Sequence, residues 1–189
     1  MKLTNITKAY NGKKIIRNLS LVPEKGTPIC IFGPSGCGKT TLLNIIAGLV
    51  KPDEGTVLLE SEKISYVFQE DRLINWISAE ENIFLTASNE KKAWEFIYKA
   101  GLEDCLKLYP LQMSGGMRRR TAIARAVAKD GEILLLDEPF NGIDKERKEA
   151  ISRFLKGFAR EKICIMVSHD MLEADMLGAE IINFIDINY

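Results

Sequence analysis

The apolar positions of this 189-residue chain gather in short runs, separated by polar intervals punctuated with glycine. Residues 3–6 and 15–22 read as two short strands joined by a polar turn at Asn11-Gly12. Pro28-Ile29-Cys30-Ile31-Phe32 is a compact apolar run ending in Gly33, the pattern of a strand buried on both faces. From Lys39 to Leu49 the period changes: Leu42, Leu43, Ile45, Ile46 and Leu49 fall at helical spacing, with Gly48 near the end. Two more buried strands are predicted at Ile133–Leu136, running into Asp137-Glu138, and at Ile163–Val167, running into Ser168-His169. Helical patterns fill 117–129, 145–159 and 170–178, and a last strand is expected around Ile181–Ile185. Strands alternating with helices predict a mainly parallel α/β sheet. Its ligand edge lies beyond the strands' C-terminal ends, where the polar groups stand in all three runs. From about Asp71 to Leu111 no buried strand is legible, and segments such as Glu90–Leu102 predict an inserted helical lobe.

Composition narrows the class. The length suits one domain with room for a core. Lys+Arg and Asp+Glu both number 26, so the net charge is zero and a strongly basic nucleic-acid binder is excluded. Cys30, Cys37, Cys105 and Cys164 show no CxxC spacing. Three of them lie in or beside apolar segments, where cysteine packs as a small hydrophobe; a reducing compartment is the expectation. The first residues carry no apolar signal-peptide core, and no apolar run approaches the ~18 residues of a membrane span, so any membrane role would pass through a partner.

The chemistry begins at Gly33-Pro34-Ser35-Gly36-Cys37-Gly38-Lys39-Thr40, a full G-x-x-x-x-G-K-[ST] match between a predicted strand and a predicted helix. Glycines let such a loop turn its N–H groups inward on phosphate oxygens, and the helix adds the positive end of its dipole. Lys39 is placed as the charge on the β- and γ-phosphates, Thr40 as a Mg²⁺ ligand. Cys37 reads as a loop filler. Asp137 and Glu138 end a hydrophobic strand, and since side chains alternate along a strand the two acids point to different tasks. Asp137 is assigned to the metal and Glu138 to the attacking water as general base. His169, the single histidine, ends another core strand on the same edge and is assigned a γ-phosphate or water contact.

Met113-Ser114-Gly115-Gly116-Met117, followed by Arg118-Arg119-Arg120, resembles the signature motif of ABC-type ATPases, written LSGGQ or LSGGM. The resemblance runs from about Tyr10 to His169. It implies that Tyr10 stacks on adenine, that Gln69 in Val67-Phe68-Gln69-Glu70 senses Mg²⁺ and the attacking water, and that Asp144 in Asn141-Gly142-Ile143-Asp144 belongs to a loop crossing a dimer seam. The nucleotide set is then Tyr10, Gly33, Pro34, Ser35, Gly36, Cys37, Gly38, Lys39, Thr40 and Thr41, with Ser114, Gly115, Gly116 and Asp144. The catalytic set is Glu138, His169 and Gln69, and the metal set Thr40, Gln69 and Asp137. Ser114 is expected at an N-cap, opening a helix whose dipole end meets the γ-phosphate held by the other subunit.

Fold and partners follow from the same resemblance. A P-loop NTPase fold is expected, with a mainly parallel core sheet, a small N-terminal antiparallel portion and an inserted helical subdomain. Residues 1–70 and 118–189 would form the α/β core, and 71–117 the helical subdomain carrying the signature. The implied cofactors are ATP and Mg²⁺. The implied partners are a second copy or a homologous ATPase subunit and integral membrane permease subunits, with no nucleic acid. The implied location is cytoplasmic, on the inner face of the membrane. Phe68-Gln69-Glu70-Asp71-Arg72-Leu73 with Trp76 resembles importer ATPases of the nitrate, sulfonate and taurine type.

The alternative is a soluble ABC-type ATPase not coupled to transport. A GTP switch lacks its Asn-Lys-x-Asp motif, and a small-molecule kinase would not explain Met113–Met117. Arg118–Arg120 read as a solvated, partly packed helix face rather than a nucleic-acid surface, and Trp76 and Trp94 as packing residues of the lobe, Trp76 alternatively flanking a permease groove. The sequence departs from the family pattern at Met113 for Leu, at Arg119 for a common Gln, and at Asn141-Gly142 for a small pair. It closes soon after the last predicted strand, short for the family, which predicts no C-terminal regulatory domain.

Overall fold

The period-2 alternation along the predicted strands sorts side chains onto two faces, and each face buries its own core. In the computed structural model, which describes residues 1–188, the chain runs through β1 (Lys2–Tyr10), β2 (Lys13–Leu21), β3 (Ile29–Phe32), α1 (Lys39–Ile46), β4 (Glu54–Leu58) and β5 (Ile64–Val67). It continues through α2 (Ala79–Phe84), α3 (Glu90–Ala100), α4 (Gly115–Lys129), β6 (Ile133–Asp137), α5 (Lys145–Ala159), β7 (Ile163–Ser168), α6 (Met171–Leu177) and β8 (Glu180–Asn183). Five strands form a parallel sheet in the order β5-β6-β7-β3-β8. The other three form an antiparallel sheet in the order β2-β1-β4. This is the α/β architecture the sequence predicts.

Ile133 and Leu135 of β6, Ile163, Ile165 and Val167 of β7, and Ile29 and Ile31 of β3 face one side. They pack there with α1 and with Leu3, Ile6, Ile16 and Leu19 of the antiparallel sheet. Leu134, Leu136, Cys164, Met166 and Cys30 face the other side and meet the cluster built from α3, α4, α5 and α6. Asp137 continues the parity of Ile133 and Leu135 and so falls on the α1 side of the sheet. All four cysteines are free thiols, and burial pushes Cys30 up to about 11 and Cys164 up to about 12. These two are inert packing groups, as expected of cysteines in apolar strands.

Two strands are not legible in the sequence. β4, Glu-Gly-Thr-Val-Leu, is mostly exposed and carries no apolar run. In β5, Ile-Ser-Tyr-Val, a serine interrupts the pattern, yet Ser65 is fully buried because its hydroxyl accepts the Gly131 N–H at 2.9 Å. The helix predicted over Lys39–Leu49 ends earlier, at Ile46, with Gly48 in the left-handed region at φ 72°. The middle of the chain is helical as predicted, with α2, α3 and 3₁₀ turns at Glu103–Cys105 and Pro110–Gln112. α2 opens on a reciprocal capping box between Ser78 and Glu81. Trp94 packs in the lobe at 5.3 Å from Phe84. Trp76 does not: it is 79% exposed, which corrects its reading as a packing residue.

Candidate nucleotide site

β3 delivers the glycine-rich loop to the C-terminal edge of the parallel sheet, and α1 carries it away. Gly38 caps α1 at φ 116°, a conformation an L side chain rarely adopts; a Cβ there would also stand 3.2 Å from the Ile15 carbonyl oxygen. Lys39, the first residue of the helix, is buried. Its Nζ donates to the carbonyls of Gly33 at 2.7 Å and Pro34 at 2.8 Å. The ammonium is thus held against the loop's own acceptors, poised where a phosphate would compete for it. Tyr10, Ser35, Gly36, Gly38, Lys39, Thr40, Thr41, Gln69 and Glu138 line one cleft of about 330 Å³. A larger cleft of about 1320 Å³, lined by Lys92, Asp130, Arg153 and Lys162 among others, lies at the opposite ends of the strands, away from this chemistry.

Asp137 is 1% exposed, and neither carboxylate oxygen accepts a hydrogen bond. Burial raises its pKa above the ordinary carboxylate range; the Thr40 hydroxyl opposes the shift from a geometry short of a full hydrogen bond. Two orphaned carboxylate oxygens beside a hydroxyl are the hard donors that Mg²⁺ takes, and too few to hold it without phosphate oxygens. The donor set fits a metal delivered with a nucleotide. Among the described residues no cluster of three or more His, Cys, Asp or Glu could hold a metal alone.

Glu138 follows in the left-handed region at φ 46°. Its Oε1 stands 3.3 Å from His169 Nδ1, and its Oε2 accepts from Asn141 Nδ2 at 2.6 Å. β6 and β7 are neighbours, so their ends bring the acid and the histidine together. Asn141 is a site residue the sequence shows only as a departure from the family's small pair.

Ser114 caps α4 as predicted, accepting from Met117 N at 3.2 Å. Gly115 and Gly116 form the first turn, whose N–H groups have no intrahelical acceptor. Asp144 caps α5 through Arg147 N at 3.0 Å and pairs with the Arg147 guanidinium at 3.1 Å; that backbone bond, then the side chain, hold its pKa below the usual range. None of Ser114, Gly115, Gly116 or Asp144 lines the cleft that holds Lys39 and Thr40. Within one copy of the chain the predicted nucleotide set therefore splits in two.

The arginine run departs from the sequence reading. Arg119 and Arg120 are 3% and 7% exposed, not solvated. Arg120 Nη1 donates to the carbonyls of Ala100 and Gly101, tying α4 to the end of α3. Arg119 turns toward the sheet edge, beneath Glu138 and Gln69.

Comparison with known proteins places this geometry. The family model described as ABC transporter matches residues 16–141. The "Uncharacterized ABC transporter ATP-binding protein YtlC" of Bacillus subtilis (strain 168) is 41% identical over 186 residues, covering 89% of this chain and 72% of that protein. The "Aliphatic sulfonates import ATP-binding protein SsuB" of Bacillus cereus is 38% identical over 183 residues, covering 89% and 73%. A solved structure described as a "Dimeric structure of a post-hydrolysis state of the ATP-binding cassette MJ0796 bound to ADP and Pi" superposes with a TM-score of 0.84 at 34% identity, covering 93% of this chain and 90% of that one.

Proposed function

The chain belongs to the ABC transporter family of ATP-binding domains, and from that membership we propose that it is the ATP-hydrolysing subunit of an importer. Two copies close on two ATP molecules and drive a separate membrane permease. The observation that carries the reading is the cleft in which Lys39, Thr40, Gln69 and Glu138 converge while Ser114 lies elsewhere. One copy supplies the phosphate loop, and the helix tip at Ser114 of its twin completes the wall. The MJ0796 cassette, described as dimeric and bound to ADP and Pi, supports pairing of two copies and hydrolysis of ATP.

The residues divide the work. Tyr10, 48% exposed at the end of β1, offers its ring to adenine. The loop N–H groups and Lys39 take the phosphates, the ammonium exchanging the Gly33 and Pro34 carbonyls for phosphate oxygens. Thr40 and Asp137, with Gln69, would hold Mg²⁺, which when bound neutralises charge on the β- and γ-oxygens. Glu138 accepts the proton of the attacking water. His169, 3.3 Å from Glu138, orients that carboxylate and reaches toward the γ-phosphate. Closure depends on differential affinity: the γ-phosphate meets more donors when α4 of the second copy arrives, and its loss removes what both halves grip.

Among the described residues no helix is long and apolar enough to cross a membrane. The helical lobe, from 71 to 117, exposes Trp76 and Leu111, and we place the permease contact there, on the inner face of the membrane. The named relative imports aliphatic sulfonates, and a small oxyanion of that class is the solute we assign. Glu138→Gln tests the core of the reading. It keeps ATP binding, blocks turnover and accumulates a dimer in Mg-ATP. A variant that stays monomeric where the parent dimerises, or that hydrolyses normally, overturns it.

A further inference from the structure

Arg119 is the most heavily engaged side chain near the site, and the family pattern, with Gln in its place, gives it no role. The residue leaves the first turns of α4, 3% exposed, and spends every N–H of its guanidinium on the sheet edge. Nε donates to the Pro139 carbonyl at 3.0 Å. Nη2 donates to the carbonyls of Asp137 and Glu138, both at 2.7 Å. Nη1 donates to the Phe68 carbonyl, with the Gln69 carbonyl at 3.4 Å and Asp71 Oδ1 at 3.5 Å. One planar cation thus spans the loops that follow β5 and β6. The ladder between those strands ends at Val67 and Leu136, and the guanidinium joins their loops beyond that point.

The clamp closes around a strained residue. Glu138 has φ 46°, a conformation that brings the Cβ of a non-glycine residue too close to backbone oxygen. Such a conformation persists only where the surroundings over-determine it. Its own N–H donates to the Val167 carbonyl at 2.9 Å, and the two carbonyls on either side of its Cα share one Arg119 nitrogen. A glutamine offers two donors and no charge, a lysine three donors on a point, and neither matches a planar fork of carbonyls. Arg125, further along α4, donates to the carbonyls of Arg72 at 2.8 Å and Asp71 at 3.0 Å, so the helix grips the Gln69 loop at two levels.

We propose that Arg119 is a positioning residue: its guanidinium fixes the Glu138 backbone so that the carboxylate meets the attacking water, and yokes it to the Gln69 loop so that a shift of either moves the other. The proposal rests on the assignment of Glu138 as general base. It makes a split prediction. Lys39 is held by the Gly33 and Pro34 carbonyls, groups Arg119 does not touch, so losing the clamp misplaces the base and leaves the phosphate loop's grip on metal-free ATP intact.

The test compares Arg119→Gln, Arg119→Lys and Glu138→Gln in the full chain, measuring kcat with Mg²⁺, the Kd for ATP without Mg²⁺, and amide hydrogen exchange. Arg119→Gln is expected to lower kcat about 10- to 100-fold, the scale of a misplaced catalytic group, with the Kd for ATP unchanged. Exchange at residues 68–71 and 138–141 should rise together while the interior of α4 stays protected. Arg119→Lys should recover part of kcat. If Arg119→Gln fails to fold, Arg119→Lys carries the comparison, with reduced kcat at unchanged Kd. Parent-like kcat in Arg119→Gln, or kcat, ATP affinity and α4 protection all falling in step, would overturn the proposal. Turnover by Glu138→Gln would overturn the assignment of the base, and the proposal with it. A dead Glu138→Gln beside a fully active Arg119→Gln would overturn the role of Arg119 alone.

Discussion

A carboxylate that is 1% exposed and accepts no hydrogen bond is costly to keep charged, and Asp137 is such a group. Burial raises its pKa in the folded chain above its value in the unfolded one. Between those two values the native state binds more protons, so this residue's contribution to stability falls as pH rises through the window and is most unfavourable above the folded pKa. A Mg-nucleotide at Thr40 would relieve the cost by giving both oxygens a partner. Asp137→Asn should therefore stabilise the nucleotide-free protein at neutral pH by about 1–3 kcal/mol, a gain of several degrees in Tm, and abolish Mg-ATP turnover. The gain should shrink as the solution is acidified and the parent's Asp137 takes up its own proton. Thermal melts of parent and variant across pH decide this; a variant less stable than its parent at neutral pH would mean that the carboxylate is already satisfied.

At the helix tip, the room around each glycine separates two roles. A Cβ on Gly116 would stand 2.8 Å from the Gly142 carbonyl oxygen, a backbone atom that cannot swing aside. A Cβ on Gly115 would meet nothing nearer than the tip of the Arg118 side chain at 3.9 Å, an ordinary contact. The glycine pair of the signature thus has two separate duties. Gly116 lets the start of α4 seat against the loop that leads to Asp144; on the proposed function, Gly115 keeps the outer face open for an approaching phosphate. Gly116→Ala should lower the Tm of the nucleotide-free monomer, at an overpacking cost of about 1–3 kcal/mol. Gly115→Ala should leave that Tm unchanged and still impair ATP-driven dimerisation. Equal melts for the two variants would remove the distinction. Which elements were legible has a matching physical basis. Strands β3, β6 and β7 are buried on both faces, so burial writes itself as a continuous apolar run. β4 is exposed and β5 hides a serine, so neither leaves that trace. The phosphate loop, the two acids and the histidine are local motifs tied to strand ends, and the geometry brings Glu138 and His169 within 3.3 Å as their positions imply. Arg119 and Asn141 could not be read, because what they do depends on carbonyls and carboxylates that only the fold brings near. Their one trace in the sequence is a departure from the family pattern.

A chain that carries the phosphate loop in one place and the signature helix tip in another makes a specific demand on its assembly. In a two-fold dimer arranged head to tail, each nucleotide takes its phosphate loop from one copy and its Ser114 tip from the other. Lys39→Ala cripples the first half of both sites in a homodimer, and Ser114→Arg the second half of both, so neither variant should turn over ATP alone. Mixed, they can form a heterodimer in which one site combines Lys39 of the Ser114→Arg chain with Ser114 of the Lys39→Ala chain and is intact. The other site carries both lesions. With random pairing half the dimers are mixed and half the sites in those are whole, so an equimolar mixture should recover about a quarter of the parental rate if the sites act independently. Recovery should depend on protein concentration, as dimerisation does, and should not appear when Lys39→Ala is mixed with Glu138→Gln, since each lesion lies on its own chain's phosphate-loop side and every site of the mixed dimer carries one of them. A mixture that dimerises in Mg-ATP yet hydrolyses no faster than its components would show that each copy completes its own site, and would remove the reason for the dimer.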